Sequence, residues 1–230
     1  MSGGVLFKAH GIGNDYLVLE SGEPIDADWV RAVCDRHRGP GGDGVLEPVA
    51  PTGGAAIGVR IWNPDGSTAE KSGNGLRILA WWAQRRRGLP ARFQVSVATG
   101  GAVVGCDVDL VHDEVEVEMG TARFDADGVP VDRARVDAPI DAAGTTLSVT
   151  AVGVGNPHCV VFCDGAPDLD ALPWRAWGAA LEVHPAFPNR TNVQVARVLS
   201  PDVVQARVWE RGAGPTLASG SSACAVAAAA

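Results

Sequence analysis

The sequence predicts an α/β chain of the α+β kind, made of two pseudo-symmetric domains, each a curved sheet or barrel around one central helix. Three observations carry that reading. Short motifs recur in the same order in the two halves of the chain. In each half a β-branched run enters a glycine-rich loop that ends in Ser-Gly and opens an apolar helix. Period-two alternation marks further strands around these units. The repeat puts one domain at 1–136 and the other at 146–230, with the boundary at 136–146, where Pro139, Gly144 and small polar residues gather.

The repeated elements run as follows. Gly11-Ile12-Gly13-Asn14-Asp15-Tyr16 returns as Gly153-Val154-Gly155-Asn156-Pro157-His158, each copy followed by an apolar run. Val59-Arg60-Ile61-Trp62-Asn63 returns as Ala206-Arg207-Val208-Trp209-Glu210. Glu70-Lys71-Ser72-Gly73-Asn74-Gly75 is answered by Leu217-Ala218-Ser219-Gly220-Ser221-Ser222. Nine positions separate Asn63 from Ser72 and Glu210 from Ser219. After each Ser-Gly the apolar pattern predicts a helix, over 76–87 and from 223 onward. Alternation predicts strands at 93–98, 115–119 and 147–152. Residues 28–37 read as a helix, and 173–183 as another with Pro173 at its first position.

Composition bounds the partners. The 230 residues are 46% hydrophobic and carry a formal net charge of −8. That balance argues against a nucleic-acid surface spread over the chain, and Arg85-Arg86-Arg87 suits an exposed helix end. No run of 18 apolar residues offers a membrane span, and Met1-Ser2-Gly3-Gly4-Val5 lacks the apolar stretch of a secretion signal. Five scattered cysteines fit reduced thiols in a cytoplasmic protein rather than a disulfide frame. Cys159 and Cys163 have no second ligand pair, so no metal is expected. Gly39-Pro40-Gly41-Gly42-Asp43-Gly44 follows a helix rather than a strand and reads as a turn.

The two Ser-Gly turns are where chemistry is expected. A helix N-terminus presents backbone N–H groups and a partial positive charge, and so seats a carboxylate or phosphate. Gly73-Asn74 and Gly220-Ser221 let a ligand approach the backbone closely. Ser72 and Ser219 also read as ordinary helix caps, and the duplication with its flanking glycines favours function over that alternative. His158 stands inside a repeated motif, whereas His37 and His184 lie in polar surroundings. Glu210-Arg211 follows a strand, in a context that is again repeated.

These motifs resemble those of the diaminopimelate epimerase family, amino-acid epimerases that work without pyridoxal phosphate. The resemblance rests on Phe7-Lys8-Ala9-His10-Gly11-Ile12-Gly13-Asn14-Asp15-Tyr16, on the segment 34–44, on Asn63-Pro64-Asp65-Gly66-Ser67 and on Ser72-Gly73-Asn74-Gly75-Leu76-Arg77. In the second half it rests on Gly155-Asn156-Pro157-His158, Arg190-Thr191-Asn192-Val193 and Glu210-Arg211-Gly212-Ala213-Gly214. It implies two proton-transfer groups, one from each domain, on opposite faces of the substrate α-carbon, with the α-carboxylate held by both helix starts and no cofactor. By position it gives Ser72, Ser219, Glu210 and His158 catalytic roles. Substrate binding falls to Asn14, Asn63, Gly73, Asn74, Asn156, Asn192, Arg211, Gly220 and Ser221. The implied partner is a small amino-acid substrate in lysine and cell-wall precursor synthesis, with no nucleic acid and no membrane; a homodimer is compatible with it. Ser72 and Ser219 are expected to face each other across an interdomain cleft.

One departure bears on the chemistry. The family's proton-transfer groups are cysteines, and here both positions are serine. A thiol is tuned to thiolate far more readily than a hydroxyl, which needs an adjacent base. The serines are open to three readings: engineered replacements, a natural variant that moves protons with help from His158, Glu210 or Lys71, or a protein that binds an amino acid without turning it over. Differences at Lys71 and Ser222 favour the natural variant. A cofactor-independent isomerase or dehydratase of another small carboxylate is the alternative enzyme. The sequence also ends inside the second helix, where the family continues with further strands.

Overall fold

The structure is a computed structural model that describes residues 4–22 and 24–230; the reading of Met1-Ser2-Gly3 as no secretion signal lies outside them. The chain forms two compact units, Met1–Glu118 and Met119–Ala230.

Unit 1 runs β1 (Val5–Gly11), β2 (Asn14–Ser21), α1 (Ala27–Cys34), β3 (Val45–Val49), β4 (Ile57–Trp62), β5 (Thr68–Ala69), α2 (Gly73–Arg87), β6 (Arg92–Val97), β7 (Val103–Asp109) and β8 (Glu114–Val117). The strands form one sheet in the order β1-β2-β3-β4-β6-β7-β8, with β5 beside β4. The expected helix at 28–37 stops at Cys34, and that at 76–87 starts three residues earlier. Alternation sorts the strand side chains between two faces. Leu17 and Val45 pack with Val30 and Cys34 of α1. Tyr16, Val18, Leu46, Val59 and Ile61 pack with Leu76, Leu79 and Trp82 of α2. Helix α2 touches β1 and β2 at one end of the strand order and β7 and β8 at the other, so the sheet curls around it. The expected central helix is therefore present in unit 1, with the Trp82 ring fully buried.

Unit 2 runs β9 (Ala138–Ala142), β10 (Thr145–Gly153), β11 (Pro157–Phe162), α3 (Trp174–Glu182), β12 (Asn192–Ser200), β13 (Val203–Glu210), β14 (Gly214–Thr216) and α4 (Gly220–Ala229), in the sheet order β14-β13-β12-β11-β10-β9. Pro173 is the N-cap of α3 rather than its first helical residue. One face of this sheet (Cys159, Val161, Val193, Val195) packs on Trp174, Trp177 and Leu181 of α3. The other (Val152, Val160, Ala196) packs on Ala225 and Val226 of α4.

The duplication extends to pairing and register. A hairpin (β1-β2; β10-β11) leads through a helix to a parallel strand (β3; β12), an antiparallel return (β4; β13), a short strand (β5; β14) and the Ser-capped helix. Val45 pairs with Trp62 as Val193 pairs with Trp209. By this register Leu46 matches Gln194; the parallel pairings of Leu17 with Val45 and of Cys159 with Val193 match Tyr16 to His158, and Gly75 and Ser222 each lie three residues after their cap serine.

The domain boundary read from the sequence is displaced. Pro139 and Gly144 do not mark a linker: they belong to β9 and to the tight turn between β9 and β10, where Ala143 and Gly144 have φ of 50° and 75°. Residues 119–135 belong to unit 2. Arg123 bridges to Gly153, the Ala151 amide donates to the Arg135 carbonyl at 2.9 Å, and Val129 and Val131 lie in its core.

Candidate active site

In unit 1 the site grows from the start of α2. Ser72 is its N-cap, in extended backbone conformation, and its Oγ accepts from the Gly75 amide at 3.0 Å. The Tyr16 hydroxyl lies 3.1 Å from the same Oγ. Gly44 makes room for this approach: a Cβ there would come within 2.6 Å of the Tyr16 ring and 2.3 Å of the Trp62 carbonyl. Gly73, Asn74 and Gly75 are buried, and a side chain at Gly75 would press on Leu46.

A directed chain of hydrogen bonds orients the two amides here. Arg77 can only donate, and it donates to Asn74 Oδ1. Asn74 Nδ2 therefore donates to Asn14 Oδ1, at 3.1 Å, and Asn14 Nδ2 donates to Asp43, which can only accept, at 2.8 Å. Arg36 binds both Asp43 and Asp15, and Lys8 joins Asp15 at 3.1 Å. The Arg36 guanidinium holds the Asp15 carboxyl well below the usual carboxylate range. Of the expected residues, Asn14, Asn74, Gly73 and Ser72 thus come together. Asn63 serves a neighbouring turn, where its Nδ2 donates to Ser67 Oγ at 2.9 Å and its amide to the Ser67 carbonyl at 2.8 Å.

Unit 2 repeats the backbone with different polar contacts. Ser219 is the N-cap of α4, makes no side-chain cap bond, and has Ser221 Oγ at 3.5 Å. His158 is fully buried. Gln194 Nε2 donates to its Nδ1 at 3.0 Å, so the ring proton sits on Nε2 and is donated to Asn156 Oδ1 at 2.8 Å. Burial pushes the imidazole pKa down to about 3, which keeps it neutral at pH 7. Gln194 Nε2 also donates to Ser222 Oγ at 2.9 Å, in the first turn of α4, while its Oε1 is buried with no hydrogen-bond partner among the described residues.

Asn192 ties three segments. Its Nδ2 donates to the Pro157 carbonyl at 3.1 Å and its Oδ1 accepts from the Arg211 amide at 2.9 Å. The Arg211 guanidinium donates to the Asn189 carbonyl at 3.1 Å. Glu210 ends β13 opposite Gly214, half-buried. His158 joins Asn156, and Arg211 joins Asn192, while Ser219, Gly220 and Ser221 form the helix start. Tyr16 and Gln194 were not among the residues singled out by sequence, although the repeat aligns Tyr16 with His158.

Among the described residues no group of three metal-ligating side chains occurs, and no helix is long and apolar enough to cross a membrane. Burial pushes the thiols of Cys34 and Cys106 up to about 11 and that of Cys159 up to about 12.

The profile of a family described as diaminopimelate epimerase matches residues 6–124 and 150–230. The chain belongs to the diaminopimelate epimerase family. A protein of Desulforudis audaxviator named diaminopimelate epimerase is 45% identical over 229 residues, covering 96% of this chain and 81% of that relative. One of the same name from Pelotomaculum thermopropionicum is 40% identical, covering 95% and 80%. Among solved structures, a probable proline racemase from Agrobacterium radiobacter shares the fold at a TM-score of 0.64 and 15% identity, covering 91% of this chain and 71% of that one. A phenazine biosynthesis protein of the PhzF family from Bacillus anthracis does so at 0.61 and 15%, covering 97% and 78%.

Proposed function

We propose that this member of the diaminopimelate epimerase family interconverts LL- and meso-diaminopimelate in the cytoplasm, as a step of lysine biosynthesis, without a cofactor. The observation that carries the proposal is the 45% identity, over nearly the whole chain, to a relative named for that activity. Ser72 and Ser219 act as the proton-transfer groups, one on each face of the α-carbon. The amides at the starts of α2 and α4 stabilise the charge that develops on the α-carboxylate when the α-proton leaves. Asn14, Asn63, Asn156, Asn192 and Arg211 hold the distal end of the substrate, and Glu210 stands beside the proton-transfer groups. His158, neutral and bonded at both nitrogens, serves by fixing Asn156.

The test follows the two stereoisomers by chromatography after mixing the chain with LL-diaminopimelate. Conversion to the meso form is expected, and it should survive iodoacetamide, because the proton-transfer groups are hydroxyls and no thiol takes part. Binding of diaminopimelate without conversion would favour an amino-acid-binding role. Release of water and an unsaturated product would favour a dehydratase.

A further inference from the structure

Ser72 poses a chemical difficulty. A serine hydroxyl is almost never ionised near neutral pH, and it takes a proton only if a neighbour takes its own. Its Oγ has two lone pairs and one hydrogen. The Gly75 amide occupies one lone pair. Tyr16 Oη, 3.1 Å away on a buried ring, is placed to exchange a proton with the oxygen.

We propose that Tyr16 is the proton-relay and positioning residue of Ser72. The inference rests on the epimerase reading given above. In the abstraction direction the α C–H bond breaks and its electron pair stays on the substrate. The α-proton goes to Ser72 Oγ, and the Ser72 hydroxyl proton goes to Tyr16 Oη, which starts as phenolate and ends as phenol. In the return direction each proton moves back, and no other reactant is needed.

Two further observations fit. In the parallel pairings Leu17 lies opposite Val45 and Cys159 opposite Val193, so Tyr16 occupies in unit 1 the position that His158 occupies in unit 2. Gly44 leaves the space that the ring fills. The ionisable side chains on the surrounding elements hold partners of their own. Lys8 of β1 and Asp15 of β2 pair with each other, Glu47 of β3 pairs with Arg60 of β4, and Arg77 of α2 binds Asn74. His10 of β1 accepts from Gly13, Asp43 holds Asn14 and Arg36, and Lys71 adjoins Ser72 in sequence.

The chain contains a single tyrosine, so the ionisation of Tyr16 is read directly from phenolate absorbance, with no assignment step. Loss of the Ser72 hydroxyl removes a donor to the phenolate, so Ser72→Ala is expected to raise the alkaline midpoint, while Ser219→Ala leaves it in place. Tyr16→Phe is expected to lower kcat for α-hydrogen exchange by ~10-fold or more, with KM for diaminopimelate changed less than about twofold. Replacing Tyr16 by 3-fluorotyrosine keeps the ring packing, and its more acidic phenol should move the alkaline limb of the kcat profile to lower pH.

An active wild-type chain with an equally active Tyr16→Phe variant overturns the relay alone. So does a fluorotyrosine limb that stays in place, or a midpoint that Ser72→Ala does not move. A wild-type chain that binds diaminopimelate and exchanges no α-hydrogen overturns the functional reading and the relay with it.

Discussion

The helix starts of the two units share backbone and cap residue but not the partners beneath them. At α2 the cap hydroxyl is engaged by the Gly75 amide and Tyr16. At α4 the cap hydroxyl makes no cap bond, and the polar network lies one turn deeper, running from Asn156 through His158 and Gln194 to Ser222. The matching positions in unit 1, Leu46 and Gly75, pack as an apolar pair instead. Duplication therefore preserved the scaffold that aims a helix N-terminus and let each copy choose its own way of orienting it. Unit 1 holds its serine directly; unit 2 holds the helix through a buried amide and a neutral imidazole.

Making unit 2 resemble unit 1 gives the largest expected effect on stability. Gln194→Leu leaves His158 Nδ1 and Ser222 Oγ buried without their donor, which should cost about 2–3 kcal/mol in urea unfolding. Adding Ser222→Gly removes one of those orphans, so the double variant should lose less than the sum of the single ones.

Acid provides the next contrast. His158 has a folded pKa of about 3, below the roughly 6.5 of an unfolded histidine. Between those values the unfolded chain binds the extra proton, so stability rises with pH there. The His158 contribution is complete above pH ~6.5, declines as pH falls, and should already be reduced by about 2 kcal/mol at pH 5. Urea midpoints at pH 5 and pH 7 measure this. A His158→Gln variant should show a flatter dependence, whereas Tyr16→Phe in unit 1 should keep the wild-type slope. The smallest effect concerns the caps themselves. Ser72→Ala should lower stability by ~1 kcal/mol through the lost bond to Gly75, and Ser219→Ala by much less, since no cap bond exists to lose.

The repeat was legible because its motifs depend on residue identity. Gly-x-Gly-Asn makes a hairpin turn, with Gly13 and Gly155 at φ of 85° and 91°, and Ser-Gly opens a helix. The domain boundary was not legible. Pro139 and Gly144 have linker chemistry, yet they sit in a hairpin, and residues 120–135 are held by isolated contacts such as Arg123 to Gly153 that leave no periodic trace. Ser72, Asn14 and Asn74, which the structure brings together at the start of α2, stand out in the sequence because they lie in repeated turns. Gln194 lies inside an apolar strand run, where a polar group is visible only once register shows which residue of the other unit it matches; Tyr16 is aligned with His158 by the repeat, but an aromatic residue leading into an apolar run reads as core. Asn192 was expected at the substrate, and the structure shows its amide bonded to two backbone segments.

The central claim, that two serines at equivalent helix starts share one reaction, is tested most directly by α-hydrogen exchange of diaminopimelate in deuterated water. The wild-type chain should incorporate deuterium at the α-carbon. Ser72→Ala and Ser219→Ala should each slow incorporation into the inverted product by ~100-fold or more, with diaminopimelate still raising the Tm of both. Incorporation at the wild-type rate in either variant would contradict the account, because one of the two helix starts would then take no part in moving the proton.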